Sequence, residues 1–236
     1  MKSSRTYATP NNDMEQARQL WERSLAFWET EEEGRKEERR ACVLFHLGLW
    51  WRRYAVQHRG EYESACTKAR DYYQQCIEIL QQVNRLDLVA KFIIPLGETL
   101  FQLQQWDELQ KVATQVIELN NIYPNNTRLA YAYGLLAEVA LGRDNWDHAK
   151  ACSQLALKIH EISLSSSSVK VNERDVNTKH DSHFLLTSKL YKSWYLFLIS
   201  QALQHLKKIP SALQKLKMAQ EEAIPDYHPQ LYTRIL

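Results

Sequence analysis

One short signature recurs four times along the chain and constrains its fold more than any other feature. In a polar turn, an aromatic or apolar residue is followed three positions later by a small or apolar one. The four occurrences are GEYESA (60–65), QQWDEL (104–109), DNWDHA (144–149) and KKIPSA (207–212). Further small or apolar residues follow four and seven positions later, which places them on one face of a helix. Each occurrence therefore predicts a turn followed by an amphipathic helix.

A second segment with helical spacing precedes each turn, so the repeating unit is a helix–turn–helix. The residues that close the four turns stand at positions 65, 109, 149 and 212, which are 44, 40 and 63 residues apart. The last step is too long by about the length of segment 163–183, which contains SSSS and fits no periodic pattern. We therefore predict a flexible Ser-rich insertion at 163–183. The predicted units are about 40–82, 86–121, 127–162 and 184–224.

Composition supports a helical chain. Its 236 residues include six Gly and six Pro, about half the usual share of these two residues. Folds built from strands need frequent turns and draw on Gly and Pro to make them. The hydrophobic fraction of 44% is sufficient for a packed core. A formal net charge of +2 produces no strong field for nucleic acid or anionic lipid.

The repeat pattern resembles that of tetratricopeptide repeats. Segments Leu96–Leu119 and Leu136–Leu157 carry the spacing that brings a small residue of one helix against the next helix. Leu109 and Ser200 are larger or more polar than the usual residue at their positions. The period near 40 exceeds the usual 34, as in the long-helix variants of large bacterial signalling proteins and kinesin light chains. HEAT-type repeats have a similar period but do not keep the aromatic-to-small spacing.

The resemblance implies an all-α, right-handed superhelical solenoid of about four helix pairs. We expect a capping helix at 12–28, which has an apolar stripe, ahead of a solenoid covering 35–236. Segment 229–236 has apolar residues at helical spacing and is expected to begin a further unit. The chain is therefore expected to continue beyond Leu236, in a longer solenoid or with further domains.

Motifs for catalysis are absent from the sequence. No GxSxG, GxGxxG, GxxxxGK[ST] or HExxH motif occurs, so a nucleophile elbow, a phosphate-binding loop and a zinc helix are not indicated. We expect no enzymatic activity, no cofactor and no metal. The stretch Leu49–Tyr62 interleaves aromatic residues with Arg, but its aromatics fall at packing positions of the repeat. Nucleic acid is therefore not an expected partner.

The cysteines and the hydropathy predict a cytoplasmic protein. Cys42, Cys66, Cys76 and Cys152 form no CxxC pair, and each lies in a helical apolar pattern where a free Cys acts as a small hydrophobe. No apolar run approaches the roughly 20 residues that span a bilayer. We expect no membrane association.

The resemblance also implies a concave groove for a protein or peptide. Its ligand-facing positions lie six and three residues before the small residue of each first helix, and one and four after it. They are Lys91, Ile94, Glu98 and Phe101 in the second unit, Tyr131, Gly134, Glu138 and Leu141 in the third, and Trp194, Phe197, Gln201 and Gln204 in the fourth. The alternative for Trp194 and Phe197 is packing against the insertion or the following unit.

The expected function is non-enzymatic binding of a protein or peptide partner. The resemblance favours the recognition or sensor arm of a larger bacterial signalling or defence protein. Two alternatives are a stand-alone peptide-sensing regulator and a module for self-association. A carboxylate clamp for chaperone tails is not expected, because Pro95, Leu135 and Leu198 stand where the family has Asn.

Overall fold

The computed structural model describes residues 10–30, 36–171, 178–225 and 229–236, with side chains for 14–28, 36–165, 187–225 and 231–236. Every regular element in these ranges is a helix, and the helices pack in consecutive pairs. The predicted all-α helical-repeat class is thus confirmed. The chain divides into two compact units, residues 1–105 and 106–236. This boundary falls at the turn between the two helices of the predicted unit 86–121.

The first unit contains α1 (Pro10–Thr30), α2 (Lys36–Gln57), a 3-10 turn (Arg59–Glu61), α3 (Tyr62–Gln82) and α4 (Leu86–Gln102). Helix α1, predicted at 12–28, is two residues longer at each end and packs on α2. The Trp50 indole Nε1 donates a hydrogen bond to the Met14 carbonyl at 2.7 Å. The Trp21 ring stacks on His46 at 4.5 Å between ring centroids. These contacts hold α1 against the following pair.

Small residues bring α2 and α3 close together. A Cβ added at Gly48 would lie 2.6 Å from Cε1 of Tyr73, so the Tyr73 ring fills the space that any side chain there would need. Ala65 and Ala69 on α3 are fully buried. Interiors are packed as densely as organic crystals, so this interface has no room for larger residues.

The second unit contains α5 (Trp106–Ile122), α6 (Asn126–Gly142), α7 (Trp146–Val171), α8 (Thr178–His205), α9 (Ile209–Glu222) and α10 (Pro229–Ile235). Each helix from α5 to α9 packs on the next, and α10 packs on α9. Side chains also link the pairs: Nε2 of His160 lies 3.1 Å from the carbonyl oxygen of Ser188, and Ser193 Oγ donates to the Ala219 carbonyl at 2.7 Å.

The face predicted from the four signatures is buried. The closing residues Ala65, Leu109, Ala149 and Ala212 are at most 6% exposed. The small residues that follow on the same faces, such as Ala113 and Ser153, have no exposed surface. The sequence therefore identified correctly which side of each second helix packs inward.

Three of the four predicted turns share one backbone geometry. Gln104, Asp144 and Lys207 have φ values of 55°, 58° and 59°, in the left-handed region that usually favours Gly. In each turn the next amide donates to the carbonyl five residues earlier, for example Asn145 N to Ala140 O at 2.8 Å. This is the Schellman arrangement that ends a helix. The turn at 60–65 differs, because it contains the 3-10 segment instead.

Two helices extend into segment 163–183, and its predicted flexibility stays a prediction. Helix α7 continues to Val171 and α8 begins at Thr178. Ser costs only about half a kcal/mol relative to Ala within a helix, and the Ser165 hydroxyl donates to the Ile162 carbonyl at 2.9 Å. A polar sequence without apolar periodicity can therefore continue a helix that begins in the core. Residues 172–177 lie outside the described residues.

Candidate partner-binding site

The carboxylate of Glu138 is the centre of the candidate site in the second unit. Glu138 lies in the apolar helix α6 and is only 4% exposed. An ionised carboxylate is costly to bury unless hydrogen bonds or an opposite charge compensate for the lost water. The burial of Glu138 therefore depends on the groups that donate hydrogen bonds to its carboxylate.

Three N–H groups donate to Glu138. Trp194 Nε1, on α8, donates to Oε1 at 2.9 Å. The Arg234 guanidinium, on α10, donates through Nη1 to Oε1 at 3.1 Å and through Nη2 to Oε2 at 3.3 Å. The pair is thus bidentate, with one guanidinium edge facing both carboxylate oxygens, the geometry in which Arg–carboxylate pairs are strongest.

Aromatic rings surround this ion pair. The Arg234 Cζ atom lies 5.1 Å from the centroid of the Phe197 ring, within range of a cation–π interaction. The Trp194 ring lies 5.3 Å from that of Tyr131. A Cβ added at Gly134 would lie 2.6 Å from Cζ3 of Trp194, so the glycine lets the indole lie against α6. This contact directs the Trp194 N–H toward Glu138.

Apolar contacts hold α10 beside the ion pair. Leu231 and Ile235 are 7% and 5% exposed. They belong to a buried cluster with Leu196 and Phe197 of α8, Ala219 of α9, and Ala223, which follows α9. Burying a Leu or Ile side chain contributes roughly 1.5–3 kcal/mol each. The site therefore combines one buried carboxylate with an apolar floor.

The structure distributes the predicted groove residues over both units. In the first unit Lys91 is exposed, Ile94 and Phe101 are half-buried, and Glu98 forms an ion pair with Arg52. In the second unit Gln204 is exposed, while Leu141, Trp194 and Gln201 are half-buried. The structure brings together one set from the second unit: Tyr131, Glu138, Trp194 and Phe197.

Three of these four residues are covered in the structure, and the role of all four in binding a partner stays a prediction. Tyr131, Glu138 and Phe197 are each at most 7% exposed. Helix α10 covers two of these residues, because it packs on Phe197 and places Arg234 on Glu138. Phe197 packs against the following segment, as in the alternative, whereas the half-buried Trp194 indole lies against α6. The sequence reasoning did not assign Arg234 to the site, although a Glu inside the apolar run LLAEVAL signals the need for a cationic partner.

A second concave region lies among α1, α2 and α3 of the first unit. Its cavity of about 820 Å³ is lined by aromatic residues and by both signs of charge. Arg18 forms ion pairs with Glu15 and Glu22 there, and the Lys68 ammonium lies 4.1 Å from the Trp51 ring centroid. Arg18 therefore neutralises two carboxylates of this cavity, and Lys68 covers the face of one of its aromatic rings.

The described part of the chain contains neither a candidate metal centre nor a candidate membrane span. In the ranges given above, no group of three or more His, Cys, Asp or Glu side chains is arranged to hold a metal ion. Across the same residues, none of the helices has both the length and the apolar character needed to cross a bilayer.

Comparison with known proteins supports the fold. No protein-family model and no curated protein matches the chain. Among solved structures, the chain is similar to BtubC (BKLC) from P. vanneervenii, with a TM-score of 0.65 and 14% sequence identity. The alignment covers 90% of this chain and 74% of BtubC. A likeness at this identity shows an all-α helical-repeat fold, and function does not follow from fold alone.

Proposed function

We propose that the chain is a non-enzymatic scaffold of tetratricopeptide-like repeats that binds a protein or peptide partner through its second unit. The three equivalent Schellman turns and the buried small residues support this type of repeat. The long period that the signatures indicate supports the long-helix variant.

One observation carries the proposal: a short helical segment of the chain already lies on the predicted groove residues. Helix α10 buries two apolar side chains against α8 and α9 and places a guanidinium on Glu138. A surface that holds a seven-residue helix in this way has the two properties of a peptide-binding site, an apolar floor and a specific polar contact.

We also propose that the protein acts in the cytoplasm, as part of a larger protein. Four free cysteines, three of them buried, suit a reducing compartment such as the cytoplasm. The repeat resemblance favours the recognition arm of a larger bacterial signalling or defence protein. A stand-alone peptide sensor is one alternative, and a self-association module, which the experiment below detects, is the other.

Site-specific photocrosslinking in the native cells tests the proposal. Gln204 is exposed on α8, so benzoylphenylalanine can replace it without disturbing the core. We expect a discrete crosslinked protein that is absent when the probe replaces Leu213, which is 61% exposed on α9. Crosslinking to a second copy of the chain would indicate self-association. The same products from both positions, or none from Gln204, would contradict a partner site on this face.

A further inference from the structure

We propose that Glu138 makes this site selective for arginine, and that α10 is its intramolecular occupant in place of a partner helix. This inference rests on the proposed function and names the chemistry of the partner. The expected partner is a short amphipathic helix with the pattern of α10: an apolar residue, an Arg three positions later and a second apolar residue next to that Arg.

The selectivity follows from the hydrogen bonds at Glu138. Both carboxylate oxygens face one edge of the Arg234 guanidinium, and Trp194 Nε1 holds Oε1 in place. A lysine ammonium is a compact point charge and cannot form two parallel N–H···O bonds in this plane. It also lacks the weakly hydrated guanidinium, whose Cζ atom in Arg234 lies 5.1 Å from the Phe197 ring centroid. The site therefore distinguishes arginine from lysine by geometry as well as by charge.

The apolar anchors set the orientation of the bound helix. Leu231 and Ile235 are four residues apart and so lie on one helical face, with Arg234 next to Ile235. Thr233 is exposed on α10. A partner helix thus needs these three matching positions, and the position of Tyr232 adds a partly buried contact with the same cluster.

The length of α10 makes its replacement by a partner feasible. It has seven residues, whereas isolated helices below about 12–15 residues are marginal in water. Its helical state therefore depends on the site. The chain holds α10 near the site at an effective concentration on the order of millimolar. A partner helix from another molecule must therefore bind the site more tightly than α10 does, unless the contacts of α10 are weakened.

Binding of the α10 peptide in trans tests the inference. The labelled peptide PQLYTRIL, residues 229–236, is titrated with the Leu231→Ala/Ile235→Ala variant of the 236-residue chain and with the unaltered chain, using fluorescence anisotropy. We expect at least tenfold tighter binding to the double variant, because its own α10 competes less. Equal binding to the two chains would contradict competition for one site.

Peptide variants test arginine selectivity without changing the protein. Peptides with Lys or the neutral isostere citrulline in place of Arg234 should bind at least tenfold more weakly, and a peptide with Ser in place of Thr233 should bind unchanged. In the Glu138→Gln chain, the Arg and citrulline peptides should differ less than threefold. Equal binding of Arg, Lys and citrulline peptides to the double variant would overturn the inference.

A second measurement applies if a variant fails to fold. Amide hydrogen exchange in α10 of the full chain should accelerate at least tenfold in Arg234→Lys and less than threefold in Thr233→Ser. Equal rates in the two variants would also overturn the inference. If hydrogen exchange in α10 does not depend on Arg234 but a partner is crosslinked at Gln204, only the proposed selectivity for arginine is contradicted. Selective peptide binding with no crosslinked partner would contradict the proposed cellular function instead.

Discussion

The indole of Trp146 and the imidazole of His205 stack with their centroids 3.8 Å apart and an angle of 4° between their planes. Trp146 begins α7 and His205 ends α8. The equivalent aromatic of the preceding signature, Trp106, packs on Gly142 at the end of α6, where an added Cβ would lie 2.7 Å from its Cε2 atom. Trp106 and Trp146, the aromatic residues of two signatures, thus make equivalent contacts. Each begins a helix and packs on the C-terminal end of the helix that follows it in the chain.

Replacing Trp146 with Ala should therefore lower the free energy of unfolding. We expect a loss of about 2–4 kcal/mol, slightly below the usual cost of truncating a fully buried Trp, because this side chain is half-buried. Urea denaturation followed by circular dichroism measures the change. The control Leu213→Ala, at a residue that is 61% exposed, should change it by less than about 0.5 kcal/mol. Equal losses in both variants would show that the stacked contact has no special role.

Gly134→Ala should destabilise the protein through a steric clash. The new methyl group would lie 2.6 Å from Cζ3 of Trp194, and relief requires movement of an indole that is also bonded to Glu138. Overpacking of this kind costs about 1–3 kcal/mol. The matched control is Gly60→Ala, because no atom lies within 4 Å of a Cβ added there. A Gly134→Ala protein as stable as the control would mean that Trp194 has freedom to move.

The stability of the protein should fall as the pH decreases below about 6.5, the ordinary histidine value. Burial lowers the pKa of His160, and the pKa of His46 is lowered for the same reason. The unfolded chain therefore binds these protons first, and the free energy of unfolding decreases until the folded-state pKa values are passed. We expect urea midpoints measured between pH 7.5 and 5 to show a shallower decline in His160→Gln. An unchanged slope in this variant would exclude His160 as a contributor.

The cysteine thiols should react slowly in the folded protein. Burial raises the pKa of Cys76 to about 12, and it also raises the pKa of Cys42, Cys66 and Cys152. The thiolate is the reactive form, so Ellman's reagent at pH 8 should label the half-buried Cys42 first. All four should react at once in guanidinium chloride. Rapid labelling of Cys76 in the folded chain would show that α3 opens locally.

The local elements of the fold could be predicted from the sequence. Each signature contains its own turn and its own small residues, so spacing alone identifies the buried face at Ala149 and Ala212. These features depend on residues close together in one repeat, or on a pattern that recurs between repeats.

The state of the candidate site could not be predicted in the same way. Glu138 and Arg234 are separated by 96 residues, and periodicity within α6 carries no information about a segment that far along the chain. The family resemblance assigned Tyr131 and Phe197 to a groove surface. Both are covered by tertiary contacts that outweigh the local pattern: Phe197 clusters with Leu231 and Ile235 of α10, and the Tyr131 ring lies against Tyr191 and Trp194 of α8. The Ser-rich segment is a different case, because α7 continues into it as far as Val171 without apolar periodicity.

The left-handed turn residues have a consequence for protein engineering. Asn84, Gln104, Asp144 and Lys207 all have φ between 54° and 59°, where a side chain with a Cβ is disfavoured by roughly 1 kcal/mol or more. None of the four is Gly, the residue that most helices select at this position. The chain therefore has four separate sites where a single substitution to Gly would remove strain without touching the core. Combined, they offer a route to a more heat-resistant scaffold with an unaltered binding face.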